Sequence, residues 1–183
     1  MRILHLTYSD YKTSAWSGGT TTELFIWPQG ADYSKREFSF RVSSAAVELA
    51  ESDFTPLPGV ERWITPISGG FTLTHPGKAP VVMEPLSEPY HFSGEEDTHC
   101  VGQATDFNLM LKGVDGEMAI SRGTTSVRPG FNCFYALEDG VFQLEGQHRM
   151  AAGDLLVVFS GQETTIELGN SGAIVCRVDT NWL

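Results

Sequence analysis

Polar side chains that alternate with apolar ones along short strands are where this sequence could do chemistry. Glu23 alternates onto the face of Phe25 and Trp27, and Arg62 shares a face with Ile64. Asn108 falls with Asp106 and Met110, opposite Phe107, Leu109 and Leu111, because successive side chains of a strand point to opposite sides. Arg41 lies with Ser39 and Ser43, opposite Phe38, Phe40 and Val42. If such faces turn inward, Glu23 and Arg62 lose water, and an unpaired buried charge is strongly destabilising. They then need each other, Arg41 or a ligand. Two readings stand side by side: ion pairs that fix strand register, or a pocket whose arginines grip a carboxylate by paired hydrogen bonds.

Other chemistries find less to work with. Two His one residue apart, a Glu soon after and a distant His would converge inside a barrel on a divalent ion. The five His, at 5, 75, 91, 99 and 148, contain no His-x-His pair. His91 and His99 flank Glu95-Glu96-Asp97, which reads as a solvated acidic turn, so no metal and no cofactor are expected. Nucleophilic catalysis lacks a Gly-x-Ser-x-Gly elbow, and the adjacent His99 and Cys100 point to opposite strand faces. Ser17-Gly18-Gly19-Thr20 is glycine-rich but lacks the Lys of a phosphate loop and feeds a strand, not a helix. No catalytic residue is assigned on these grounds.

The elements that must position these groups are short strands. The period is two, broken by Gly, Pro, Asn and Asp every several residues. Strands are expected over 20–27, ending at Pro28, and over 38–47, with 45–50 open to a short helix instead. Further strands are expected over 62–67, 70–74, 80–83, 107–112, 117–121, 131–137, 142–144, 154–159, 164–168 and 173–178. An internal repeat organises them. The run from Trp63 to Leu73 resembles that from Phe134 to Leu144, each a strand, a glycine turn and a return strand. A second hairpin then reaches Phe92-Ser93-Gly94 in one copy and Phe159-Ser160-Gly161 in the other.

Composition bounds the partners. The chain has 183 residues, 41% of them hydrophobic, enough to build a core without disulfides. With 12 Lys+Arg against 23 Asp+Glu the net charge is −11, which argues against nucleic acid and against an anionic membrane surface. A small anion stays compatible, since a few buried arginines dominate the field inside a pocket. Cys100, Cys133 and Cys176 form no CxxC pair and read as small core residues. The first residues lack a secretory apolar run and no stretch is long enough to span a bilayer, so a cytoplasmic location is expected.

Four segments, in order, resemble the HutD/Ves family. Trp16-Ser17-Gly18-Gly19-Thr20-Thr21-Thr22-Glu23 is similar to its Trp-x-x-Gly-Gly-x-Thr-x-Glu opening, and 38–47 to its aromatic-x-x-Arg-x-Ser-x-Ala-x-Val strand. Phe54 to Arg62 is similar to its Phe-x-x-x-Pro-Gly-x-(Asp/Glu)-Arg stretch, and Asp106-Phe107-Asn108-Leu109-Met110 to its Asp-(Phe/Leu)-Asn-x-Met element. Asn181-Trp182-Leu183 resembles the ending of the Ves branch, and Ser17 departs from the Asn of many relatives. The resemblance implies an all-β bicupin: two jelly-roll-type, cupin-like antiparallel barrel halves in one domain over 1–183. The halves would lie at roughly 1–115 and 116–183, intertwined, without the cupin metal triad. Met150 to Val158, a Gly-Asp turn feeding an apolar strand, is of a kind common in such barrels. Cupin barrels pair through edge strands, so a homodimer is an expectation that no particular stretch locates.

These four segments hold the candidate ligand-binding set: Trp16, Thr22, Glu23, Arg41, Ser43, Arg62, Asp106, Asn108 and Met110. HutD members go with histidine-utilisation operons and are thought to sense an intermediate such as urocanate or a formylated glutamate; Ves members are tied to stress without an established activity. The leading expectation is therefore a non-enzymatic binder of a small carboxylate metabolite. One alternative is a metal-independent isomerase or hydrolase with Glu23 as acid/base. Another is an interaction module with a filled barrel and an exposed apolar patch. Fold alone does not choose among them.

Overall fold

The computed structural model describes residues 1–179, so Asn181-Trp182-Leu183 lies outside the described residues. Alternation, glycine turns and the near absence of capped helical runs yield an all-β chain with two single-turn 3-10 segments, Tyr8–Asp10 and Tyr33–Lys35. It divides into two compact units, residues 12–113 and residues 1–11 with 114–183. The chain opens with β1 (Arg2–Leu6). The first unit then holds β2 (Lys12–Trp16), β3 (Gly19–Trp27), β4 (Phe40–Val47), β5 (Glu51–Asp53), β6 (Glu61–Gly69), β7 (Phe71–Thr74), β8 (Val81–Met83), β9 (Tyr90–Ser93), β10 (His99–Val101) and β11 (Ala104–Leu111). The second continues with β12 (Gly116–Ser121), β13 (Thr124–Val127), β14 (Gly130–Ala136), β15 (Gly140–Gln143), β16 (Gln147–Met150), β17 (Leu155–Ser160), β18 (Thr164–Glu167) and β19 (Ala173–Val178).

Strand order is duplicated. The first unit has a six-stranded sheet, β2-β3-β4-β11-β6-β9, and a four-stranded one, β5-β10-β7-β8. The second has β1-β17-β14-β19-β12 and β13-β18-β15-β16. Stripped of β1, β2 and β3, the large sheets read β4-β11-β6-β9 and, reversed, β12-β19-β14-β17. The small sheets correspond strand for strand. The repeat seen in sequence maps onto this: Trp63 to Leu73 covers β6 and β7, Phe134 to Leu144 covers β14 and β15, and Phe92 and Phe159 lie on β9 and β17. Each unit is a pair of open sheets, not the closed barrel that the resemblance implies. The ladder is interrupted where the chain passes between sheets. Gly69 (φ +71°) ends β6 and Gly102 (φ +130°) stands between β10 and β11, where a Cβ would meet the backbone oxygens of Gln103 and Gly70 respectively.

Apolar faces close the units. In the second, Phe134, Phe142, Leu156, Ile166 and Val175 of both sheets form a continuous core with Ile3 packed against it. In the first, Ile64, Phe71, Leu73, Met83, Phe92 and Cys100 form one cluster and Ile26, Phe38, Leu57, Val60 and Met110 another. Cys100, Cys133 and Cys176 are all free and buried. Residues 45–50, open to a helix by pattern, instead complete β4 and turn after Val47. No helix among the described residues is long and apolar enough to cross a membrane.

Candidate functional site

Between the two apolar clusters of the first unit, the inner face of the six-stranded sheet becomes polar. Register explains why. On β11, Met110 stands opposite Arg41 of β4 and Arg62 of β6, and Asn108 opposite Ser43 and Ile64. Residues directly opposite share a face, so Arg41, Ser43, Arg62, Asp106, Asn108 and Met110 converge as alternation predicts. They line a cavity of about 390 Å³, together with Trp16. Arg36, Arg41 and Arg62, three of the chain's 12 basic residues, reach it. A strongly acidic chain thus gathers positive charge at one cavity.

The two inner arginines differ in what satisfies them. Arg41 donates from Nε to Glu23 Oε2 at 2.8 Å and from Nη1 to Ser43 Oγ at 3.1 Å, and its guanidinium lies 4.1 Å from the Tyr33 ring centroid. Arg62 is only 7% exposed, yet among the described residues it makes one long hydrogen bond, from Nη2 to Asn108 Oδ1 at 3.4 Å, and its Nε has no partner. The Phe54 and Phe92 rings flank it at 4.7 and 5.2 Å. Burial pushes the Arg62 guanidinium below its ordinary range, with Arg41 adding to the shift and Tyr33 and Asp106 opposing it. Asn108 in turn donates from Nδ2 to Asp106 Oδ1. Burial pushes the Asp106 carboxyl up to about 7, against the pull of Arg62 and of hydrogen bonds from the Ala45 backbone and Asn108.

Two of the expected site residues stand elsewhere. Thr22 pairs with Ser44 on the opposite face, and its Oγ1 lies 3.0 Å from that of Thr13; Thr21 lines the cavity instead. Glu23 does not share a face with Phe25 and Trp27. The register shifts between Glu23 and Phe25, so that Glu23 faces Ser43 while Phe25 faces Val42. This bulge turns Glu23 inward onto Arg41, where its carboxylate is engaged and is not part of the cavity lining. Tyr33, Arg36 and Phe54 are lining residues that sequence reasoning missed. Tyr33 and Arg36 come from the irregular segment between β3 and β4, where no period marks them. Arg36 donates to the Tyr33 carbonyl at 2.9 Å and lies 4.4 Å from its ring. Phe54 did carry a signal, as the first residue of the segment ending in Arg62.

The glycines beside Trp16 are explained by close approach. A Cβ at Gly18 would strike the Trp16 indole, and one at Gly19 (φ +147°) would strike the Ala46 carbonyl oxygen. Gly18 thus makes room for the Trp16 ring, which lines the cavity, and Gly19 for the close approach of β4. His91 and His99 hold no common centre: His91 pairs with Glu61 and His99 with Asp53, each at 2.8 Å, while Glu96 pairs with Lys78. No three His, Cys, Asp or Glu side chains stand together as a metal would need among the described residues. The cavity's own donors, guanidiniums and an amide, suit an anion.

Paired sheets with a duplicated strand order place the chain in the class of cupin-like all-β folds, and solved structures share it. The bacterial pirin YhhW from Escherichia coli, in complex with nickel(II), superposes with a TM-score of 0.67 at 9% identity, over 96% of this chain and 98% of that one. A conserved protein of unknown function from Pseudomonas aeruginosa PAO1 superposes with 0.82 at 24% identity, over 98% of each chain. HutD from Pseudomonas fluorescens SBW25, in a formate condition, gives 0.81 at 22%, over 97% of this chain and all of that one. The HutD family model matches residues 8–176, and the chain belongs to the HutD family. No curated protein matches the sequence.

Proposed function

We propose that this protein is a non-enzymatic binder of a small carboxylate metabolite, with the ligand seated in the cavity of residues 12–113 and each unit a cupin half. Arg62 carries the reading. A buried guanidinium with an unpartnered Nε is destabilising in the free protein and becomes favourable once a carboxylate accepts from it. The cavity volume of about 390 Å³ suits a metabolite-sized ligand. The second unit supplies the contrast. Its buried Arg177, 7% exposed, donates to Glu117, Thr125 and twice to the Ser126 carbonyl, so its own unit satisfies it. Membership of the HutD family directs the choice of ligand to intermediates of histidine catabolism, such as urocanate or formylglutamate, and the role to sensing them.

A thermal-shift screen with formate, urocanate, formylglutamate, formiminoglutamate, glutamate and histidine tests this. A ligand at a hundred times its Kd stabilises the fold by about 2.7 kcal/mol, a shift of several degrees for a chain of this size. A shift with one of the carboxylates, lost in Arg62→Ala, is expected. A shift that Arg62→Ala leaves unchanged removes the cavity from the account. Glu23 as acid/base gains no support from the geometry, because its carboxylate is held by Arg41.

A further inference from the structure

The proton balance of this cavity is an inference that rests on carboxylate binding and goes beyond it. Asp106 is 4% exposed and lines the same cavity as Arg62. Its carboxylate receives Asn108 Nδ2, while Arg62 donates to the other end of that amide and forms no ion pair with Asp106 among the described residues. Asn108 therefore spaces the cavity's buried acid from its under-satisfied cation. An anion that enters to take the Arg62 guanidinium brings a second carboxylate into a cavity already lined by the buried Asp106. Two carboxylates sharing such a site do not both ionise.

We propose that the ligand enters together with one proton: its carboxylate takes the Arg62 guanidinium, and Asp106 binds a proton from solvent and stands as a neutral hydrogen-bond donor. The ligand keeps its charge because the guanidinium hydrogen-bonds it directly. Asp106 gives up its charge because burial has already lifted its carboxyl to about 7. The other charged or titratable groups around it are Arg62 on β6, Arg41 on β4 with Glu23 of β3 on its Nε, Cys100 on β10, Asp53 on β5, and Tyr33 and Arg36 from the segment before β4. Burial, with the negative charge of Asp106 adding, pushes the Cys100 thiol up to about 11. His99 stands 2.8 Å from Asp53, which lines the cavity, and a variant at Asp106 separates its contribution.

Calorimetric titration of the full chain with formylglutamate between pH 6 and 9, in buffers of differing ionisation enthalpy, tests the proposal. The wild type should take up close to one proton per ligand at pH 8.5, and its affinity should fall by about tenfold per pH unit above 7. Asp106→Asn, which mimics the neutral acid, should bind with no proton uptake and a flat profile, and should exceed the wild type by at least about tenfold at pH 8.5. Binding by the wild type with no net proton and no pH dependence overturns the proton coupling and leaves carboxylate binding standing. The wild-type measurement decides this even if the variant folds poorly. Absence of binding at pH 6, with Asp106 already protonated, overturns both readings together.

Discussion

Replacing Arg62 by Met keeps a long side chain between Phe54 and Phe92 and deletes only the guanidinium. In the free protein that group is 7% exposed, its Nε is unpartnered, and its one hydrogen bond to a side chain is 3.4 Å long. The unmade hydrogen bond costs about 1–3 kcal/mol, and the long bond to Asn108 returns about 1 kcal/mol or less. Methionine removes both and fills the space with an adaptable apolar chain. Asp106 loses the attraction of Arg62, which was holding its carboxyl down, so the carboxyl rises further from about 7 and takes a proton instead of being left as a stranded charge. The net expectation is a gain of about 0–2 kcal/mol, a rise in Tm of a few degrees for a chain of this size. Binding moves the other way. Loss of a charge-assisted pair worth about 3 kcal/mol weakens carboxylate affinity by at least about 100-fold. Differential scanning calorimetry and ligand titration on the same preparation read both quantities. A drop in Tm of more than about 5 °C with affinity intact would refute the reasoning, because it would make Arg62 a structural cation instead of a ligand anchor.

Asp106→Asn should stabilise the ligand-free protein at pH 8 and have little effect near pH 4. The folded carboxyl is raised to about 7 from 3.8, so the folded state holds a proton that the unfolded state has released between those values. Stability therefore falls as pH rises through that window and levels off above it, a penalty of a few kcal/mol that the amide abolishes; urea unfolding at the two pH values checks it. Arg177→Ala should destabilise by about 2–4 kcal/mol, measured as a lowered urea midpoint, because it strips donors from Glu117, Thr125 and the Ser126 carbonyl. Gly19→Ala should cost about 2–3 kcal/mol in the same assay, since its φ of +147° disfavours an L side chain and its Cβ would strike the Ala46 carbonyl.

Much of this architecture was legible because it rests on a period-two pattern with hard punctuation. β3 ends at Trp27, where Pro28 denies the ladder a donor, and β19 occupies the expected 173–178. The convergence of Arg41, Asp106 and Asn108 was legible too, since each lies at a polar step of a strand whose other face is apolar, whereas Arg62 shares its face with Ile64 and was marked by its charge on an otherwise inward face. What sequence hid was local. β2, with all five residues exposed, has no apolar face to announce it, and the three-residue β5 and β10 are too short to show a period. β1 gives no sign that its partner is β17, some 150 residues on, because pairing of distant strands is set by tertiary packing. The bulge in β3 defeated the assignment of Glu23 to the face of Phe25 and Trp27, since one inserted residue reverses every side chain beyond it. Thr21 and Thr22 precede the bulge, and plain alternation already sets Thr21 on the face of Glu23 and Thr22 on the other.

The most direct test of a carboxylate site at Arg62 is the nuclear magnetic resonance signal of its side-chain Nε–H during titration with formylglutamate and urocanate. The peak is assigned by its loss in Arg62→Met. Among the described residues this N–H has no acceptor, so a bound carboxylate should move the proton downfield and slow its exchange with water, saturating in step with the affinity measured by calorimetry. Saturable binding that leaves the Arg62 Nε–H unmoved would contradict the account, for the ligand would then sit somewhere other than this cavity.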